Sequence, residues 1–390
     1  MRLARLVLLV VALIVLWSAR AASADPTSPG PPGGSLPEAA AAIDAARAKV
    51  AAGDTRGAIA GLESYLAAHP EDVGAARLLG DLEFRVPDYA RAEKVWRQII
   101  AAHPDDKETH NRLGSLFAVQ DRTDEAVSEF KKSLPSHGGA LGLVALHQRR
   151  GDIGQFVAAE QAAADQHPLD PAPWSELGLV RRTLRQYELA LQAYQHVVGL
   201  RPDSCSARVD AANVLVDLGR VDPAMEHLRR CLKVDAAYYP AVVNLGEAFL
   251  EKEDVASARP YFDRALKINP DGNEALVDTG YCYDLQRDWR TAVVYYNRAI
   301  AADPFRPEAY IDLGYDYNER RLFPQAEAAY LKGLSVSPDN GRLHYMLAVT
   351  YNVQGKIALA REQYRLAIAT AEPRVVNAAK SELALLPAGP

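Results

Sequence analysis

Positive charge and long apolar runs are both scarce in this chain, and the usual motifs of catalysis are missing. Of its 390 residues, 44 are Lys or Arg and 50 are Asp or Glu, giving a formal net charge of -6. That balance lacks the basic footprint that grips phosphates, so no nucleic-acid partner is expected. There is no phosphate-binding glycine loop, no zincin-like histidine pair and no nucleophile-elbow spacing. The nine histidines are scattered. The expectation is therefore no catalytic residue, no metal, no cofactor and no enzymatic activity.

The N-terminus carries the one strongly apolar stretch. Arg2 and Arg5 precede Leu6 to Trp17, and Ala22-Ser23-Ala24 supplies the small-x-small pattern of a cleavage site. The uncharged run from Leu6 to Ala19 has 14 residues, short of the roughly 20 that span a bilayer. Residues 1–24 thus read as a bacterial-type export signal cut after Ala24, with a periplasmic mature protein. The alternative is an uncleaved membrane anchor through residues 6–19. Losing Arg2, Arg5 and Arg20 would take the charge from -6 to -9. Residues 25–37, rich in Pro and Gly, read as a linker unable to pack a core.

What the chain has in abundance is repetition. Ala58, Ala92 and Ala126 are 34 residues apart. After a step of 30 to Phe156, the 34-residue spacing resumes at Ala190 and continues through Ala224, Ala258, Ala292, Ala326 and Ala360. Twelve residues before this position stands a small residue, as in Gly80, Gly114, Gly178, Gly246, Gly280 and Gly314. Four after it stands a large one, as in Trp96, Phe130, Tyr194, Phe262, Tyr296 and Tyr330. Twelve after it falls a proline, as in Pro70, Pro104, Pro168, Pro202, Pro270, Pro304 and Pro338. The small residue lets two antiparallel helices cross closely, the large one fills the space between them, and the proline ends the hairpin.

Trp174, Leu177, Gly178, Ala190, Tyr194 and Pro202 complete the pattern in one unit, which resembles the tetratricopeptide repeat (TPR) family. The resemblance covers residues 39 to 372. It implies an all-α fold, an α-solenoid of about ten hairpins over 38–373 wound as a right-handed superhelix, with first helices lining a concave groove. The unit at 107–136 is short by four residues, and its neighbour has Phe156 and Glu160 where Ala and a large residue belong. An irregular joint near 134–160 is expected, either a kink or a degenerate repeat. Val376, Ala379, Leu383 and Leu386 share one face of a helix, so 374–390 reads as a capping helix and tail.

Cys205 begins one first helix and Cys231 lies late in its second, ends that an antiparallel hairpin brings together. A disulfide and two buried thiols both remain open. Cys282 is left over.

Ligands of TPR proteins commonly lie along the concave face, so the groove positions carry the functional reading. The sixth residue of five successive units is Glu176, Asp210, Asn244, Asp278 and Asp312. The ninth includes Asn213, Glu247, Tyr281 and Tyr315, with Asn318 three further on. Residues 239–340 hold 17 acids and 11 bases. The family's carboxylate clamp has its amide half here in Asn213 and Asn244, but Val209, Glu274 and Asp278 stand where its basic residues belong. With no cation expected beside Glu274 and Asp278, the groove should repel an acidic tail and favour a protein or peptide partner of basic character. Tyr with Asp and Asn also suits sugars, so a polysaccharide, handled in exopolysaccharide assembly or export, is the alternative ligand. Contact with a membrane is expected only through an uncleaved signal segment.

Overall fold

The computed structural model describes residues 36–370 and 373–387. The expected signal, its cut site and most of the expected linker lie outside them. Among the described residues there are 21 helices and no strand. They pair in order as ten hairpins: α1 (Leu36–Ala51) with α2 (Thr55–Ala68), α3 (Val73–Arg85) with α4 (Tyr89–Ala102), α5 (Lys107–Val119) with α6 (Thr123–Lys132), α7 (His137–Arg150) with α8 (Ile153–Gln166), and α9 (Pro171–Thr183) with α10 (Tyr187–Leu200). Then follow α11 (Cys205–Asp217) with α12 (Val221–Val234), α13 (Tyr239–Glu251) with α14 (Val255–Ile268), α15 (Asn273–Leu285) with α16 (Trp289–Ala302), α17 (Pro307–Glu319) with α18 (Phe323–Val336), and α19 (Gly341–Val353) with α20 (Ile357–Ile368). The single helix α21 (Pro373–Leu385) comes last. Helix α1 starts at Leu36, so the linker expected through Pro37 ends two residues sooner; a proline in the first turn gives up only an N–H that has no helical partner.

The chain divides into two compact units, each described by itself. One is built chiefly of Leu62–Ile268, the other of Asn269–Pro390 with Ala41–Gly61. They are called the N-terminal and C-terminal units below.

The spacing rules act through local chemistry. First helices are capped by the side chain just ahead of them: Asp72 accepts from the Ala75 amide, Asp106 from Thr109, Ser204 from Ala207 and Asn340 from Leu343. Within each hairpin the small and large positions meet. A Cβ added at Gly80 would lie 2.3 Å from the Trp96 ring nitrogen, and one at Gly280 would lie 2.6 Å from the Tyr296 ring. Only glycine lets those rings sit against the opposing backbone.

The carbonyls left behind where one hairpin gives way to the next are met by side chains. His110, Arg208, Tyr310 and His344, each six residues on, donate to the carbonyls of Pro104, Pro202, Pro304 and Pro338. Where the first helix offers no donor at that place, the second helix supplies one 28 residues on: His196 to Pro168, Arg298 to Pro270 and Arg264 to Ala236. A carbonyl can only accept, so Nε2 of these histidines carries the proton.

The hairpin α7–α8 departs from its neighbours. Phe156 is buried and its ring lies parallel to His147, with centroids 4.3 Å apart. A ring at the alanine position holds the two helices apart, and both pack on α9 more than on each other. The two helices of this repeat are splayed. On its other side α7 is glycine-rich. Cβ atoms at Gly114 and Gly142 would each fall within 2.7 Å of Phe130, whose ring is held between the two backbones. At the far end α21 packs on α19 and α20, burying Ala379 and Leu386.

A candidate binding face on the first helices

Two pairs of consecutive first helices meet through the ninth residue of one and the sixth of the next, 31 residues apart. In the N-terminal unit that rung is first an ion pair. Arg112 Nε lies 2.5 Å from Asp81 Oδ1, and Nη2 lies 2.9 Å from Oδ2. Glu108 adds a further bond to Arg112 at 3.0 Å. Beside it Arg77 reaches Asp106 at 2.6 Å and Glu108 at 2.8 Å. Burial works against charge on Arg112, but Asp81 and Glu108 outweigh it and hold the guanidinium charged. Here the face has already paired its own charges.

Further along the same unit the rung becomes an amide pair, with Asn244 Nδ2 donating to Asn213 Oδ1 at 2.7 Å. The amide half of the clamp pattern is thus hydrogen-bonded to itself. Asp210 is half-buried, and burial, only partly opposed by Arg182, pushes its carboxyl up to about 6. Arg182 is held by Asp217 at 2.6 Å. His137 faces the same two residues, and burial followed by Arg182 pushes it down to about 4. Glu176 lies apart from this group; burial and the nearby Glu160 raise its pKa. Glu247 is half-buried on α13.

The C-terminal unit fills the same register differently. Tyr281 and Tyr315, the ninth residues of α15 and α17, are 45% and 50% exposed. Burial, with Glu319, Tyr281 and Asp284 nearby, raises the pKa of Tyr315. Asp278 and Asp312 are half-buried; Asp312 lies close enough to Tyr296, Tyr330 and Asp284 to disfavour ionisation of each. Asn318 is drawn inward instead. Its Nδ2 donates to Thr350 Oγ1 at 2.8 Å and to Tyr330 Oη at 3.3 Å, tying α17 to α18 and α19.

One expectation is corrected. Glu274 does have a cation: Arg306 Nη1 lies 2.6 Å from its Oε1. Arg306 precedes α17, outside the helical positions from which the groove was read. Repulsion of an acidic tail at this place therefore cannot be argued from Glu274.

Two acids escaped the groove reading. Asp284 and Asp316 lie at the C-terminal ends of α15 and α17, where burial raises the pKa of both. Asp316 is 2% exposed. A signal was present: Asp316 is the tenth residue of its helix, a position that holds Val180, Val214, Ala248 and Cys282 in other units.

Cys205 and Cys231 are joined as a disulfide linking the start of α11 to the last turn of α12, with Cα atoms 4.8 Å apart. Cys282 is buried and not disulfide-bonded. No group of three or more metal-ligating side chains occurs among the described residues.

Comparison with known proteins bears on the fold. A tetratricopeptide repeat profile matches residues 43–94, 84–140, 209–273, 243–307 and 311–375, and a second matches 172–204, together well over half of the chain. The CTR9 homolog of Arabidopsis thaliana is 27% identical over 202 residues, 48% of this chain and 18% of that protein. Cellulose synthase 1 operon protein C of Komagataeibacter xylinus is 25% identical over 191 residues, 47% of this chain and 14% of that protein. The chain spans less than a fifth of the length of the curated relatives it matches. The crystal structure of a tetratricopeptide repeat protein from Parabacteroides merdae aligns with a TM-score of 0.52 at 17% identity, covering 64% of this chain and 98% of that one. That likeness is one of fold.

Proposed function

The chain belongs to the tetratricopeptide repeat family, and we propose that it is a non-enzymatic scaffold of the cell envelope whose first helices hold a partner protein or peptide. The observation that carries this reading is the exposed pair Tyr281 and Tyr315 on a half-buried acidic background of Asp278 and Asp312. Exposed aromatic rings at a helical rung are costly to leave in water and useful for contact with a partner. Acids beside them favour a cationic segment, because a guanidinium or ammonium over a tyrosine face gains both from the ring and from the carboxylates.

The test is fluorescence anisotropy with a labelled Lys/Arg-rich decapeptide, against a decapeptide of reversed charge. The cationic peptide should bind more tightly, and added salt should weaken it. Tyr281→Ala with Tyr315→Ala should weaken binding at least tenfold. Tighter binding of the acidic peptide would overturn the reading.

A second reading is handling of a polysaccharide. It is favoured by the likeness to cellulose synthase 1 operon protein C and by the same two exposed tyrosines, which offer flat surfaces to sugar rings. A cello-oligosaccharide that binds independently of salt, with the decapeptide failing to bind, would select it.

Export to the periplasm is part of the proposal. It rests on the Arg2 to Ala24 pattern and on the Cys205–Cys231 disulfide, a bond that persists in oxidising compartments. Intact mass of envelope-fraction protein should fit a chain starting at Asp25, and denaturing thiol titration should find one free thiol. Retained Arg2 would instead indicate an anchor, and three free thiols would remove the redox argument.

A further inference from the structure

Asp284 and Asp316 stand on the first helices of adjacent hairpins in the C-terminal unit, and each has one oxygen occupied. Tyr296 Oη donates to Asp284 Oδ2 at 2.6 Å, and Arg320 Nη1 reaches Asp316 Oδ2 at 3.2 Å. The other oxygens are buried, and no donor among the described residues reaches either Oδ1. The two carboxyls are within hydrogen-bonding reach of each other. Two carboxylate oxygens that face each other repel unless a proton lies between them.

The surroundings argue for that proton. Asp284 feels the acids Asp312 and Asp316, while Arg320 pairs with Asp316. Tyr296 from α16 donates to the pair but brings no charge, and Tyr315 lies near Asp284. Both carboxyls also lie in the last turn of their helices, where the exposed carbonyls and the helix dipole oppose negative charge. A buried carboxyl that keeps its proton becomes a donor, and satisfies both orphan oxygens with one bond.

We propose that Asp284 and Asp316 share a single proton and form a latch between hairpins α15–α16 and α17–α18, closed while the proton is held and strained when both groups ionise. Asp284 is pushed up to about 6 by burial, and Asp316 and Asp312 add to the shift. An acid whose pKa is raised on folding contributes stability at low pH that is lost as pH rises through the folded value. The latch therefore weakens between about pH 5 and pH 7. Its consequence for binding rests on the reading of the Tyr281–Tyr315 face as the cation-binding site. There the second negative charge appears as the proton leaves, so a bound cation and the proton compete.

The experiment is hydrogen exchange on the full chain, corrected for the intrinsic pH dependence of exchange. Protection in α15–α18 should fall about tenfold from pH 5 to pH 7. In Asp284→Asn an amide takes the place of the protonated carboxyl and donates to Asp316, so protection should be flat across this range and at least equal to wild type at pH 7. Asp316→Asn should flatten the profile as well. Asp210→Asn, which removes the other raised aspartate in a separate unit, should leave the α15–α18 profile unchanged. A flat wild-type profile, or an unchanged slope in Asp284→Asn, overturns the latch. The cationic decapeptide separates the two readings. If exchange shows the latch and the peptide does not bind at any pH, the binding reading fails and the latch stands. If the peptide binds with equal affinity at pH 5 and pH 7 while exchange is flat, the latch fails and the binding reading stands.

Discussion

At the ninth residue of one first helix and the sixth of the next, the N-terminal unit sets Asp81 against Arg112, joined by two hydrogen bonds. At the same two positions the C-terminal unit has Tyr281 and Asp312, with the tyrosine 45% exposed. One rung has closed on itself. Its charges are matched, and an approaching ligand would have to displace bonds that are already made. The other keeps a ring in solvent beside a half-buried acid, so it is the rung to which the proposed partner is assigned. Repeats of one fold can thus differ in function without differing in backbone, because the groove positions are free of the packing demands that fix the rest of the unit.

The contrast can be broken most directly at Arg112. Arg112→Met should cost about 2–4 kcal/mol, because it leaves the half-buried Asp81 without its cation, and losing one partner of a buried pair costs up to about 3–5 kcal/mol. Urea unfolding of the full chain measures it, and a change below about 0.5 kcal/mol would mean that the rung contributes nothing. Next in size is a change that should act alike in both units. Gly280→Leu is expected to cost about 1–3 kcal/mol through overpacking against Tyr296, and Gly80→Leu a similar amount against Trp96. A large difference between the two would show that the units differ in core as well as in groove. Smallest is Asp312→Asn, expected within about 0.5 kcal/mol of wild type or slightly stabilising, because it removes one of several neighbouring acids. If Asp312→Asn cost as much as Arg112→Met, the two rungs would be equivalent and the contrast would fail.

The hairpins were legible because each depends on residues close together in sequence. Gly280 and Tyr296 are set by the crossing of two helices joined by a short turn, and the proline after them marks where the hairpin must end. The amide positions Asn213 and Asn244 were legible as groove residues for the same reason, since period and helical register fix which face a residue takes. That they bond to each other, and that Asn318 turns inward to Thr350, was not. Those outcomes depend on the distance between hairpins rather than on the register within one. Glu274 shows the limit most plainly. Its sequence neighbours suggested an unpaired acid, and its cation came from Arg306, 32 residues on and outside the helical positions being compared. Asp316 differs: it is buried at a helical position that holds Val180, Val214, Ala248 and Cys282 in other units, so register alone gives no sign of its partners.

By itself the sequence determined the unit of construction: its length, its two helices, its small and large contact positions and the places where one hairpin hands over to the next. These follow from steric and capping rules that act over a few turns of helix. Tertiary structure alone decided the state of the polar side chains. Whether Asp81 is paired, whether Asp284 meets Asp316, and whether Phe156 is absorbed by splaying α7 from α8 depend on how closely successive hairpins stack. A hydrogen bond is gained or lost over less than an ångström, a precision that a 34-residue period does not carry.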